Sequence, residues 1–265
     1  MMEVSILFTP TKITFLYVCA MPTLTVIIPT YNEAAYIEGA LQSVTFADEI
    51  IVIDSHSTDN TVEIAKKYTS KVLLREFDNF STQKNHALLP ATGDWVLFVD
   101  ADERVTHSLE TEIKKTLENP MHSGYKVTFP HFYMNRFLYH HSDSVLRLVL
   151  RDGGSFQGSV HEKLQCAGSV GTLHNPMLHF TYKGLHNYIS KKEGYAWTQA
   201  EQRFAKNEKV TWFKLMVKPT YRFFSSYVLR GGFRDGVPGL TVAAVNAYGV
   251  FQRYVKLMLL HRGMR

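Results

Sequence analysis

Over the first half of the chain, short apolar blocks alternate with segments whose apolar residues recur at helical spacing. Leu24–Pro29 (LTVIIP) is a brief apolar run ending at a proline, which predicts a buried parallel strand. Ala34–Val44 comes next, with Ile37, Ala40, Leu41 and Val44 on one helical face. Glu49–Asp54 (EIIVID) predicts a second strand, Ser55–Asn60 a turn and Thr61–Tyr68 a helix. The alternation continues with a strand over Lys71–Arg75, a helix over Ser81–Leu89 and a strand over Trp95–Asp100 (WVLFVD). A helix over Ser108–Glu118 and a strand over Gly124–Phe129 complete it. Such alternation predicts an α/β fold with a doubly wound, mostly parallel sheet, whose ligands sit beyond the carboxyl ends of the strands.

After Pro130 the pattern changes. His131–Gln165 is rich in His, Arg and Gly and predicts irregular strands and loops covering a site. Leu185–Asn207 predicts a long helix, and Pro219 and Gly231-Gly232 are expected to divide the remaining tail into shorter helices. There is no internal repeat.

At 265 residues, 45% hydrophobic and 20% charged, the chain is ordinary globular material. Cys19 and Cys166 are too few for a disulfide framework and lack zinc-site spacing. The net charge of +5 is unevenly placed: Val210–Arg265 holds nine Lys or Arg and one acid, Asp235, leaving 20 basic and 23 acidic residues before it. Met1–Ala20 is apolar but broken by Glu3 and Lys12, and lacks the basic start of a secretory signal. Residues 1–21 are therefore expected to be a non-native or mobile extension, with Met21 as the initiator.

The strand ends carry the chemistry. The first empties into Thr30-Tyr31-Asn32-Glu33, with no glycine-rich phosphate loop, which excludes a P-loop, a dinucleotide fingerprint and a sugar-phosphate nucleotidyltransferase. Taken alone, Asn32 or Thr30 reads equally well as a helix cap. The second strand ends at Asp54, placed to accept hydrogen bonds from a base or ribose, or to cap the next helix. The fourth ends in Asp100-Ala101-Asp102, two carboxylates of the kind that hold a hard divalent ion together with substrate phosphates. Asp102 as a simple helix cap is the alternative.

Together IIPTYNE (Ile27–Glu33), DEIIVIDSHSTDNT (Asp48–Thr61), the Phe80–Ala87 segment with Lys84 and Asn85, and TGDWVLFVDADE (Thr92–Glu103) resemble family 2 glycosyltransferases, which have the GT-A fold. The resemblance covers about the first 130 residues. VHEKL (Val160–Leu164), HFTY (His179–Tyr182) and the stretch Arg230–Gly236 are similar to the bacterial branch containing lipopolysaccharide inner-core β-glucosyltransferases.

That resemblance implies a nucleotide-sugar donor bound by Pro29, Thr30, Tyr31, Glu33, Asp54, Lys84 and Asp100, with Tyr31 packing on the base. It implies Mg2+ or Mn2+ held by Asp102 and Asp100. His56 stands where many relatives have a smaller residue such as glycine. Inverting transfer needs a general base, and Glu162 is the candidate, with Asp143 in reserve. A surface pair of Glu162 with Lys163 or Arg151 is the alternative role. Of the 12 histidines, His131, His140, His141, His161, His174, His179 and His186 cluster after the sheet, and His179 is the candidate to complete the metal shell.

In the tail, Lys214, Lys218 and Arg222 recur every four residues among aromatic and aliphatic side chains, a composition suited to an anionic membrane surface rather than nucleic acid. Val237–Leu260 is apolar but interrupted by Asn246, Arg253 and Lys256, which predicts a re-entrant, interfacial or bundled helix, not a clean span. The expected organisation is residues 22–208 as the GT-A domain, split at 130 into nucleotide-sugar and acceptor halves, and 209–265 as a basic helical tail. The expected activity is inverting transfer from a UDP-sugar to a lipid-linked or lipopolysaccharide-core saccharide, on the cytoplasmic face of the membrane. The rival readings are a polyprenyl-phosphate acceptor and a non-catalytic sugar-binding protein at the membrane surface.

Overall fold

The computed structural model describes residues 21–158, 162–180 and 185–264, and the backbone alone of two N-terminal strands; the side chains of residues 131, 141, 187 and 191 are outside it. Val160, His161, Thr181 and Tyr182 of the two downstream motifs therefore lie outside the described residues, as do the side chains of His131 and His141. Strands β1 (Val4–Thr9) and β2 (Lys12–Tyr17) pair antiparallel within the segment expected to be an extension.

The chain then runs β3 (Leu24–Thr30), α1 (Ile37–Ser43), β4 (Glu49–Asp54), α2 (Thr61–Ala65), β5 (Val72–Leu74), α3 (Phe80–Leu88), β6 (Trp95–Phe98), β7 (Glu103–Val105) and α4 (His107–Glu118). Next come β8 (Gly124–Tyr133), β9 (Arg136–Leu150), β10 (Ser155–Gln157), β11 (Lys163–Gln165), β12 (Val170–His179) and α5 (Leu185–Ala205). The C-terminal part is α6 (Trp212–Phe224), a π-helical turn (Ser225–Leu229), a 3-10 turn (Gly232–Asp235) and α7 (Gly236–His261). Eight strands form one sheet in the order β5-β4-β3-β6-β9-β8-β12-β7. The first four are mutually parallel, and β9 joins β6 antiparallel.

The chain divides into two compact units, residues 1–128 with 144–177 and residues 129–143 with 178–265. In the first, β3 is buried along almost its whole length, and Ile27, Ile51, Ile53, Val96, Phe98 and Val149 form the core. Local chemistry sets the helices: Asn79 caps α3 by accepting from Thr82 N at 3.0 Å, and Thr106 caps α4 from Leu109 N at 3.2 Å. Leu109, Ile113 and Leu117, four apart, form the buried stripe of α4.

A proline in a central strand would normally remove a ladder bond. Pro29 is tolerated because β6 has already left β3: their pairing stops at Ile27–Phe98, whereas β4 stays paired up to Thr30–Asp54. The same divergence opens the sheet at its carboxyl end, where Thr30, Asp54 and Asp100 emerge.

Two expectations are corrected. The stretch after Pro130 is largely not irregular: β8 and β9 form a long hairpin around Met134-Asn135. Both turn residues have positive φ, 49° and 57°, the two-residue geometry that matches strand twist. Pro219 does not divide the tail but lies inside α6. Its fixed φ suits a helix, and only the N–H that would have bonded the Leu215 carbonyl is missing. The break comes later, at the π turn and the left-handed Gly231.

In the second unit, α7 packs on α5 and α6. Ala200, Tyr254 and Leu257 form its core, flanked by Val210, Leu215, Val250 and Leu260. Lys256 is buried there, its Nζ 3.2 Å from the Glu193 carboxylate and 4.7 Å from the Trp197 ring centre. The charges that interrupt the apolar run of α7 are thus absorbed by helix packing. No helix among the described residues is long and apolar enough to cross a membrane.

Candidate active site

Two loops meet at the end of β3 and β4. Asp54 is fully buried, and its oxygens accept from Ser57 N at 2.7 Å and Ser57 Oγ at 2.5 Å. Asn32 does not cap α1. It adopts a left-handed φ of 52° and stitches the loops, its N–H donating to Ser57 Oγ at 2.8 Å and its Oδ1 accepting from Thr58 N at 2.8 Å. Glu33 N donates to Thr61 Oγ1, and Ala34 N to Asp59. Asp54 does not cap α2 either; Asp59 accepts from Thr61 N and Oγ1.

This clasp leaves Tyr31 57% exposed at the mouth. Thr30 is buried beneath it, with a hydroxyl that meets no partner among the described residues. His56, exposed beside the clasp, has φ 61°, a region that favours glycine.

The second half of the site is charged. Asp100 Oδ2 accepts from Arg147 Nη2 at 2.8 Å, and its Oδ1 lies 3.8 Å from Lys84 Nζ. Lys84 is almost buried, reaching from α3 over the Phe156 ring at 5.0 Å, and its Nζ is 3.4 Å from Glu162 Oε1. One ammonium thus stands between the strand-end acid and the candidate base. The surface pair of Glu162 with Lys163 or Arg151 does not form; Arg151 instead pairs with Asp152 and donates to the carbonyls of Ala91 and Thr92.

Helix α3 also fixes the segment leading to Glu162. Asn85 donates to Phe156 O at 2.9 Å and accepts from Phe156 N at 2.8 Å, while Ser81 Oγ donates to Gly158 O.

Two residues here were not singled out from sequence. Glu103 is fully buried, accepts from Asp100 N at 2.9 Å and pairs with Arg147 at 2.5 Å. Burial disfavours the Arg147 charge, but Asp100, Glu103 and Asp102 outweigh it and hold its pKa above the ordinary value. Arg147 thereby orients Asp100 and leaves its other oxygen on the Lys84 side.

Asp100 and Asp102 are hard oxygen donors two residues apart and partly exposed, a set that suits Mg2+ or Mn2+. Magnesium commonly takes one or two carboxylates plus phosphates and waters, so the set needs no closed cage. Among the described residues no three His, Cys, Asp or Glu side chains assemble into one. His179 and Asp143 belong to the second unit. There His179 lies edge-on to Phe129 at 6.2 Å, and the Asp143 charge acts on Tyr188, whose pKa burial pushes up to about 12.

The family model for glycosyl transferase family 2 matches residues 25–177. An uncharacterized glycosyltransferase of Rickettsia felis is 27% identical over 258 residues, 89% of this chain and 90% of that protein. The lipopolysaccharide core biosynthesis glycosyltransferase LpsC of Rhizobium meliloti is 26% identical over 250 residues, 87% of this chain and 90% of its own. Among solved structures, the mannosyltransferase PcManGT of Pyrobaculum calidifontis, in complex with GDP-mannose and Mn2+, shares the fold over 91% of this chain and 88% of its own, with a TM-score of 0.52 at 16% identity.

Proposed function

The chain belongs to glycosyl transferase family 2, and from that premise we propose that it transfers a sugar with inversion from a UDP-sugar to a saccharide hydroxyl. The acceptor is a lipid-linked or lipopolysaccharide-core saccharide, met at the inner face of the cytoplasmic membrane. The observation that carries this reading is the Lys84 ammonium lying between Asp100 and Glu162, which joins the donor acids and the base in one site. The likeness to LpsC supports the acceptor class, and the GDP-mannose and Mn2+ of the archaeal mannosyltransferase are ligands of the class proposed.

Tyr31 packs on the nucleobase, while Pro29, Thr30 and Glu33 shape the pocket that the Asp54–Ser57 clasp holds in place. Asp100 and Asp102 are the residues that would hold Mg2+ or Mn2+. Bound there, the ion supplies Lewis-acid neutralisation of the diphosphate, making it a better leaving group. Lys84 adds a second positive charge where the leaving diphosphate gathers negative charge. Glu162 takes the acceptor's proton as its oxygen attacks the anomeric carbon. The new carbon–oxygen bond forms as the bond to the β-phosphate breaks, and that electron pair leaves with UDP.

A panel of UDP- and GDP-sugars, incubated with the protein with and without Mn2+, tests this by release of nucleoside diphosphate. Slow hydrolysis of a UDP-sugar is expected, abolished by EDTA and reduced about 100-fold or more in Asp102→Ala. Full turnover in that variant, or hydrolysis indifferent to EDTA, would remove the mechanism.

A further inference from the structure

The second unit carries a surface that its fold does not use. Helix α6 buries none of its residues, although most of them are apolar or aromatic. Trp212 is 75% exposed, Phe213 61% and Tyr221 61%, and Met216, Val217 and Phe224 are also exposed. At about 100° per residue these six fall within half the helix circumference. Leu215, on the other side, packs in the core that α7 shares.

The apolar surface continues past the helix. Val228 and Leu229 of the π turn, Phe233 of the 3-10 turn, and Val237 and Leu240 at the start of α7 are all exposed. A monomeric soluble protein rarely leaves so continuous an apolar stretch to water without a use for it.

The charges along it have one sign. Lys218 is exposed at the flank of the apolar half of α6, and Arg230 and Arg234 are exposed beside Leu229 and Phe233. The only acid between Trp212 and Leu240 is Asp235, which is buried. Other tail cations are structural: Lys256 is held by Glu193 and Trp197, and Arg253 lies against Tyr254. Lys214 is likewise held, by Glu208 at 2.9 Å, which leaves Lys218, Arg230 and Arg234 as the exposed cations bordering the apolar stretch.

We infer that the face formed by α6, the π turn, the 3-10 turn and the first turn of α7 docks onto a bilayer containing anionic lipid. The aromatic and aliphatic side chains enter the headgroup–acyl boundary, and Lys218, Arg230 and Arg234 face the lipid phosphates. Charge complementarity selects this occupant over a second copy of the chain, because two such faces would bring like charges together. The inference deepens the proposed use of a lipid-linked acceptor, which it would place within reach of the enzyme.

Trp212 supplies a built-in reporter, since Trp95 is buried and Trp197 lies partly covered against Lys256. The full chain is mixed with phosphatidylglycerol–phosphatidylethanolamine vesicles or with phosphatidylcholine vesicles, and sedimentation and tryptophan emission are read. Co-sedimentation with the anionic vesicles and a blue shift absent from Trp212→Phe are expected, with binding to phosphatidylcholine at least about tenfold weaker. Phe213→Ser with Val217→Ser, and separately Arg230→Glu with Lys218→Glu, are each expected to abolish binding while the thermal midpoint and soluble UDP-sugar hydrolysis stay unchanged. Retained hydrolysis keeps a failure of this surface distinct from a failure of the transferase reading. Absence of anionic-vesicle binding, equal binding by these variants, or a concentration-dependent dimer that Phe213→Ser dissolves would overturn the inference.

Discussion

Arg147 carries more of the site than its place in the sequence suggests. It is largely covered, its side chain 12% exposed, and bonds both Asp100 and the fully buried Glu103. Replacing it with methionine would strip that cation from the Glu103 carboxylate, and breaking a buried pair from one side costs about 3–5 kcal/mol. Arg147→Met is therefore expected to lower the unfolding free energy by that amount in urea titration; a loss within about 0.5 kcal/mol would deny the network a structural role. The residues differ in how far they could be read in advance. Asp100 and Asp102 stand out because they end a continuous apolar run, and Tyr31 because it lies just past a proline at a strand end. Arg147 gives no such signal: within LRLVL it looks like the polar face of a half-exposed strand, and its role depends on β9 lying antiparallel to β6. Asn32 read as a cap, yet its left-handed backbone and its bonds to Ser57 and Thr58 come from a neighbouring loop 25 residues away.

At the scale of elements, the parallel strands were legible because burial on both faces writes itself as unbroken apolar runs. Glu49–Asp54 is a strand to the residue in both sequence pattern and structure. The β8–β9 hairpin was not legible, because its turn uses Met134-Asn135 in place of a glycine-bearing pair. The Pro219 helix misled for the opposite reason, since a rule about propensity gave way to packing against α7. The base of β4 makes a separate prediction. Glu49 accepts from Thr25 Oγ1 at 2.6 Å and from Thr92 N at 2.9 Å, and pairs with Lys71, tying β3, β4 and the approach to β6 together. Burial pushes its pKa up, but Lys71, Thr25 and Thr92 more than reverse this, from 4.5 down to about 2. A depressed folded-state value stabilises the fold above the unfolded value, and that stability is lost as pH falls through the folded one. Unfolding free energy is expected to drop by about 2–3 kcal/mol from this group between pH 4.5 and 2. Glu49→Gln should remove that part of the pH dependence in denaturant titrations, and an unchanged slope would contradict the assignment.

At the scale of the whole molecule, the chain forms two compact units, and the chemistry derived above lies within the first. The sequence pattern revealed the parallel half of the sheet. The exposed face of α6 was visible as composition, but only the packing of α7 against α6 distinguishes the cations that hold the bundle from those left at the surface. The central claim is that acids at the mouths of neighbouring strands hold the donor's diphosphate with a divalent ion, while Glu162 acts only on the acceptor's proton. Calorimetric titration of UDP with Mn2+ into the wild-type protein, Asp102→Ala and Glu162→Gln separates these roles most directly. Wild type and Glu162→Gln are predicted to bind UDP with similar affinity in the presence of Mn2+, while Asp102→Ala loses the Mn2+-dependent part. Mn2+-dependent binding that survives in Asp102→Ala, or that disappears in Glu162→Gln, would contradict the account.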